Sequence, residues 1–437
     1  MKMQSPYPAA LHPPSLWSEI AHPAPPALPL DHDVTTDVVI IGAGFTGLGA
    51  AWELSRRGIA CVVVEASDAG WGASGRNGGM AVLRYKRFWS VLARQLGDEA
   101  TLHLYKSMRD GLDTLESNIT ELGIDCDFQR CGHITAAHGR RAFAGLEDDC
   151  RWLAAVAGDT TPRMLHQAES AALTGASSYT GAYLDPRSAG IHPLNYSRGF
   201  AAALAARGVP LHSNSPALKL AVEQGRVTVT TPQAEVRAKQ ALVCTNAYTQ
   251  SFAFGVDLDK RIVPVSAAVI ATAPLSPEAM RKVLPQQHLV TDTRNLVNYF
   301  RRAPGDRLLF GGRGSLTGKE GARYYRHLVH CLHRTYPFLR EIDIDYRWSG
   351  KVAVTLDDMP HIGAIGDRVF YAMGYGGRGV VLANLLGKHL ARYAMGERPA
   401  LGPMSDGRFS RIPFSGLRIP IMNTVAAYYK LRDHLAI

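Results

Sequence analysis

The segment 37–66, DVVIIGAGFTGLGAAWELSRRGIACVVVEA, restricts the chain to a narrow set of folds. Its apolar run at 38–41 is what a parallel strand buried on both faces requires. That run leads into Gly42-Ala43-Gly44-Phe45-Thr46-Gly47. Gly42 permits a tight turn, Gly44 lets the backbone approach a diphosphate, and Gly47 lets the following helix close on the sheet. Phe45 and Thr46 open that helix, whose N-terminus faces the anion. Leu48, Ala51 and Leu54 supply its inward stripe, Gly58 stops it after Arg56 and Arg57, and 59–64 forms the next buried strand. Glu65, followed by Ala66, ends that strand about 20 residues past the glycines, where an acid accepts hydrogen bonds from an adenosine ribose and repels the 2′-phosphate of NADP. Strand, glycines, helix, strand and acid together predict a dinucleotide site, and they leave FAD and NAD equally open.

A second glycine-rich loop, Gly70-Trp71-Gly72-Ala73-Ser74-Gly75-Arg76-Asn77-Gly78-Gly79, then Met80, favours FAD, because a flat ring and its ribityl chain can be approached closely by backbone that carries no side chains. Ser74, Arg76 and Asn77 are suited to bond the diphosphate, the ribityl hydroxyls or the ring edge. About 300 residues on, Gly374-Tyr375-Gly376-Gly377-Arg378-Gly379-Val380 lies between an apolar strand at 369–372 and a helix over 381–393, which again offers a helix N-terminus to a polar ligand atom. Between these anchors, 210–212, 217–221 (with Leu218), 226–229 and 241–244 read as short strands, the last running into Thr245 and Asn246 at the rim of the nucleotide site.

The 437 residues, 46% hydrophobic and 20% charged, have room for about two or three domains with cores of their own. No stretch approaches the ~18 uninterrupted apolar residues of a membrane-spanning helix. The net charge of +10 is dispersed, with no basic run interleaved with aromatics, so it reads first as a solvated surface and not as a nucleic-acid groove, with a field that draws in a carboxylate-bearing substrate as the alternative. Six scattered cysteines have no metal-ligand spacing, which predicts no metal site and a reducing, cytoplasmic setting. The N-terminus has no leader pattern and is proline-rich, so 1–33 reads as an extended arm. The predicted fold is α/β: a discontinuous Rossmann-like FAD/NAD(P)-binding domain over 34–87, 186–259 and 348–397, a second sheet-based α+β substrate domain over 88–185 and 260–347, and a C-terminal tail and helix at 398–437. Helix formers at 88–173, with Leu102, Tyr105, Met108 and Leu112 on one face, read as an inserted layer of the substrate lid.

With these residues in view, the chain resembles the D-amino-acid-oxidase-like FAD-dependent oxidoreductases, in particular the branch that oxidises γ-glutamylputrescine. The likeness rests on DVVIIGAGFTGL, WGASGRNGG, LDPRSAGIHPLNYSRG, TDTRNLVNYFR, LLFGGRG, RWSGKVAVTLDDMPHIG and MGYGGRGV, with a C-terminal helix through Tyr428. It implies a GR2-type cofactor domain and oxidation of a neutral primary amine to an aldehyde, with ammonia and, through oxygen, hydrogen peroxide as co-products. The alternatives are an N-methyl amine or D-amino acid substrate, or a flavin subunit that relays electrons without turnover. For the substrate pocket the resemblance points to Tyr299; Arg378 faces the flavin edge or a substrate carboxylate, and His192 is a third catalytic candidate. Trp71 and Trp348 are expected against the cofactor. Where sarcosine-oxidase-like relatives carry a flavin-tethering cysteine this chain has Gly350, so FAD is expected without a covalent bond. Where those relatives carry an oxygen-activating lysine and a carboxylate-pairing lysine it has Leu309 and Val381. An apolar Val381 beside the reacting carbon implies an alkyl-linked amine rather than an α-amino acid.

Overall fold

A computed structural model describes residues 12–251, 257–314, 321–406 and 409–413, and separate residues of the tail between 422 and 433. The rest of the arm and tail, including most of the expected C-terminal helix, lies outside the described residues.

The first strand, Val34–Ile41, pairs in parallel with Cys61–Val64 on one side and Glu235–Val243 on the other. Leu211–His212 extends this sheet beyond Cys61–Val64. On the far side, Glu235–Val243 divides its pairing: its first half pairs antiparallel with Arg226–Thr230, which turns back to Lys219–Glu223, and residues 241–243 pair in parallel with Val369–Met373. His361–Ile365 closes this eight-stranded sheet. All eight strands fall within the three segments assigned to the cofactor domain. Helix Phe45–Arg56 crosses helix Gly379–Ala394 at close range, because a Cβ at Gly387 would lie 2.2 Å from the carbonyl oxygen of Thr46.

The second sheet also has eight strands, in the order Ile344–Val354, Val263–Thr272, Arg307–Arg313, Tyr299–Ala303, Leu289–Asp292, His133–Ala137, Gly181–Asp185, Arg163–His166. All its pairings are antiparallel except that of Leu289–Asp292 with His133–Ala137. Helix Ala322–Thr335 covers it through Tyr325, Leu328 and Leu332. Three two-residue strands, Met80–Ala81, Ala189–Gly190 and Gln129–Arg130, form a small sheet where the two large ones meet.

Two expectations are corrected. Strand Ile344–Val354 crosses the predicted boundary at 347/348 and belongs wholly to the second sheet, because Val263–Thr272 pairs with it along its length. The long helix Asp98–Leu122 shares its core with the cofactor domain: Leu104, Tyr105, Met108 and Leu112 pack in one cluster with Leu48, Leu382 and Leu386. Leu102 sits at the edge of that cluster. Helix Asp98–Leu122 therefore backs the nucleotide domain rather than forming a lid, while helices Arg140–Val156 and Gln167–Thr174 of the same stretch pack on the second sheet. Among the described residues no helix is long and apolar enough to cross a membrane, and no group of three or more His, Cys, Asp or Glu is placed to hold a metal ion.

Candidate functional site

An elongated cleft runs along the carboxyl ends of the parallel strands, where ligands bind in open α/β sheets. It is lined by Glu65, Ala66, Ser67 and Ala217, by Gly42, Gly44, Phe45, Thr46 and Ser74, and by Asn77, Tyr248, Val352, Tyr375 and Gly379. Gly42 has φ +106°, the left-handed region that lets the turn close. Gly47 lies behind the cleft: its absent Cβ would fall 1.9 Å from the Gly42 carbonyl oxygen, so glycine is what allows helix and turn to touch. Gly44 caps helix Phe45–Arg56 without a side chain, which leaves the first turn of backbone next to the cleft. Glu65 accepts hydrogen bonds from the amides of Ala43 (2.7 Å) and Ser67 (3.0 Å), and burial pushes its pKa above the usual carboxylate range.

The three glycine elements are tied together by side chains. The Phe45 amide donates to Ser74 Oγ at 3.0 Å, linking the first loop to the second. Thr46 Oγ1 and the Tyr375 hydroxyl share a buried 2.7 Å hydrogen bond, linking the first to the third. The Gly374 amide donates to Asn246 Oδ1 at 3.0 Å, fixing the third loop to the end of strand Glu235–Val243. Trp71 lines the cleft, meets Tyr248 edge-on at 6.0 Å and carries the Arg76 guanidinium 4.0 Å above its ring.

Of the residues singled out from sequence, Gly42, Gly44, Phe45, Thr46, Glu65, Ala66, Gly72, Ala73, Ser74, Asn77, Thr245, Asn246, Tyr375, Gly377, Gly379 and Val380 line the cleft. Gly47, Gly75, Arg76, Gly78, Gly79, Met80, Leu218, Gly350, Gly374 and Gly376 stand behind it or beside it. Sequence reasoning did not single out Ala217, Cys244 and Val352, which do line it, as does Tyr248 at the end of the run from Thr245. For Val352 strand periodicity held the signal, since it shares a strand face with Gly350, whereas Ala217 precedes strand Lys219–Glu223.

The catalytic candidates separate. Tyr299 is half-buried, its ring lying against Gly311 on the paired strand and against Gly78, next to cleft-lining Asn77; burial pushes its hydroxyl pKa up. Arg378 caps helix Gly379–Ala394 between cleft-lining Gly377 and Gly379. Its Nε is buried with no hydrogen-bond partner, and burial, with Arg84 alongside, lowers its pKa to about 10. Arg84, also missed from sequence, is buried 3.8 Å from Asp149 and lies over the Phe88 ring at 4.8 Å. Fully buried His133, whose Nε2 meets Thr291 Oγ1 at 2.9 Å, is kept neutral by burial and by these two arginines.

His192, by contrast, is a helix cap outside the cleft. Its Nδ1 accepts from the Asn195 amide at 3.1 Å, its ring packs on Trp17 at 4.8 Å, and burial lowers its pKa to about 4. Trp348 stands one layer behind the cleft, packed on Trp17. Leu309 is buried in that same cluster and faces no cleft. Val381 does not face the cleft either: it packs against Gly111 of helix Asp98–Leu122, and Val380 is the residue that lines the site.

A two-sheet fold with a three-glycine cleft defines a flavoprotein oxidoreductase, and the comparisons agree. Residues 37–393 match the family profile for FAD dependent oxidoreductases (DAO), and the chain belongs to that family. It is 32% identical over 429 residues to γ-glutamylputrescine oxidoreductase of Escherichia coli, covering 98% of this chain and 99% of the relative. A probable oxidoreductase, OrdL, of Haemophilus influenzae is 31% identical over 91% of this chain and 88% of its own. In fold the chain is similar to L-proline dehydrogenase from P. horikoshii (TM-score 0.72, 18% identity, 84% of this chain and 96% of that one). Glycine oxidase from Geobacillus kaustophilus is comparable (TM-score 0.71, 21% identity, 86% and 99%). The residues present fit FAD: glycines where backbone must approach a diphosphate, a buried acid at the ribose end, and side chains joining all three loops around one cleft.

Proposed function

We propose that this protein oxidises a primary amine at the end of an alkyl linker, with a carboxylate several bonds away, to an aldehyde and ammonia. γ-Glutamylputrescine fits this description. The observation that carries the reading is the pair of guanidiniums beside the third glycine loop, that of Arg84 buried and that of Arg378 half-buried with its Nε enclosed, with Asp149 the one carboxylate at ion-pair distance from either among the described residues. Two cations facing one anion favour a ligand that brings a carboxylate of its own, and a charge left unpaired in a dry pocket costs several kcal/mol. Full-length likeness to a γ-glutamylputrescine oxidoreductase supports the same reading. Val381 gives no support, since it packs away from the cleft.

Bound FAD supplies the hydride acceptor and the route of electrons to oxygen. The chain's part is to orient the amine and exclude water. Tyr299 packs on Gly78 beside the cleft, and Arg378 and Arg84 hold the remote carboxylate so that the amine end reaches the ring. Neutral His133 behind them adds no third cation to the pocket. FAD is held without a covalent bond: Gly350 offers no thiol, and Cys244, which lines the cleft, is buried with its thiol pKa pushed far up, so it is not a thiolate. Acid precipitation should leave the flavin in the supernatant, and yellow colour in the pellet would refute this. Six free cysteines accord with a cytoplasmic setting.

The test is anaerobic mixing of purified protein with γ-glutamylputrescine, putrescine, sarcosine and D-alanine while the flavin band is followed. A kcat/KM preference for either amino acid above about tenfold, ~1.4 kcal/mol at the transition state, would overturn the assignment. No bleaching by any amine would favour the electron-relay alternative.

A further inference from the structure

The second glycine loop is held from behind by three buried N–H donors that come from elsewhere in the chain. Trp348, on the edge strand of the second sheet, donates its indole N–H to the carbonyl of Arg76 at 2.9 Å. Trp17, on the short helix Leu16–Glu19 of the N-terminal arm, donates its indole N–H to the next carbonyl, that of Asn77, at 2.8 Å. Arg301 Nη1 holds the Gly79 carbonyl at 2.6 Å. Both tryptophans are essentially without exposure, and their rings meet edge-on at 6.5 Å. Leu16, Leu194, Val269 and Leu309 complete an apolar cluster around them.

A trans peptide points its C=O and its N–H in opposite directions, and the chain has no cis bonds among its described residues. The carbonyls of Arg76 and Asn77 point at the two indoles. The N–H groups of Asn77 and Gly78 therefore point the other way. Asn77 lines the cleft with Gly78 beside it, and the Asn77 side chain braces the loop itself, accepting from Gly79 N at 2.8 Å and donating to the carbonyls of Ala73 and Ser74.

We propose that Trp17 and Trp348 are positioning residues for the flavin: by holding two consecutive carbonyls, they present the N–H groups of Asn77 and Gly78 to the ring, so that the N-terminal arm sets both the affinity and the reduction potential of the cofactor. This rests on the family assignment of FAD. Reduced flavin is the more electron-rich form, so N–H groups aimed at the ring favour it over the oxidised form. The arm is anchored for this role: the His22 amide donates to Asn195 Oδ1 at 2.8 Å and the Leu30 amide to Ser215 Oγ at 2.8 Å.

The test uses W17F and W348F, which keep an aromatic ring and lose the donor, and L16A, which opens a cavity in the same cluster and removes no donor. Each is purified as apoprotein, titrated with FAD, and measured for two-electron midpoint potential. W17F and W348F should each weaken oxidised FAD binding by about tenfold and reduced FAD binding by about a hundredfold. The tenfold difference corresponds to a fall of ~30 mV in potential. L16A should lower Tm and leave the potential unchanged. Wild-type affinity and potential in both tryptophan variants would overturn the proposal, as would an L16A shift in potential equal to that of W17F. Should W17F fail to fold, W348F reads the adjacent carbonyl by the same two measurements. A wild-type apoprotein that takes up no FAD would instead sink the cofactor assignment, and the clamp with it.

Discussion

The two eight-stranded sheets recognise their ligands by different means. Beside the first, the cleft is built from backbone: turns at Gly42 to Gly47, a helix start without a capping side chain, and glycines that let the chain come close. Beside the second lie the side chains proposed to meet the substrate, Tyr299, His133, Arg84 and Arg378, of which His133 and Arg84 are buried and Tyr299 and Arg378 half-buried. Backbone recognition suits a ligand that never changes, such as a diphosphate. Side-chain recognition is adjustable, so on the proposed reading substrate choice within one fold falls to these side chains.

The strongest challenge to this contrast falls on the backbone side. Gly47→Val should abolish FAD binding, because its Cβ would sit 1.9 Å from the Gly42 carbonyl oxygen, and it should cost about 3 kcal/mol or more of stability. Apoprotein titration with FAD and a thermal melt check both, and a yellow protein with wild-type Tm would contradict the role given to the turn.

On the side-chain side the effect is selective. Arg84→Ala or Arg378→Ala should lower kcat/KM for γ-glutamylputrescine by about a hundredfold, ~2.7 kcal/mol, yet change that for putrescine by less than about threefold. Equal losses on both substrates would show that the arginines serve the fold or the flavin rather than the carboxylate.

The smallest effect concerns the arm that joins the two halves. His12 and His192 are both lowered to about 4, in each case chiefly by burial, with Arg76 alongside His12. As pH falls below 6.5 the unfolded chain takes up protons that these two histidines refuse until about pH 4, so stability is intact above 6.5 and is lost progressively down to about 4. Tm should drop by about 5 °C between pH 7 and pH 4.5, accompanied by a change in tryptophan emission as Trp17 loosens, and by less in His192→Gln. A Tm that does not respond to pH over this range would separate the arm from the rest of the molecule.

How much was legible from sequence follows the same divide. The first sheet could be read because its information is local: a buried parallel strand, a glycine turn and a helix lie within 30 consecutive residues, and each element has its own composition rule. Glu65, Ser74 and Tyr375, each inside such a run, line the cleft. Arg84 could not be read, since nothing distinguishes a buried arginine from a solvated one until the sheet carrying His133 is set against it. His192 carried two readings from sequence, because a histidine before proline can begin a helix or serve a site, and the Asn195 amide decides for the helix entry.

The sequence by itself therefore determined the cofactor class, the order of strand, turn and helix around it, and the division into two sheets, because period-2 and period-3.6 patterns and glycine spacing are properties of neighbouring residues. Tertiary structure alone decided that strand Ile344–Val354 joins the second sheet, that Asp98–Leu122 backs the first, that Val381 turns away while Val380 lines the cleft, and that Trp17 reaches Asn77 across 60 residues. These are contacts between segments distant in the chain. They are fixed by which apolar faces bury one another and by which buried carbonyl a donor must satisfy, and neither condition exists until the chain has closed on itself.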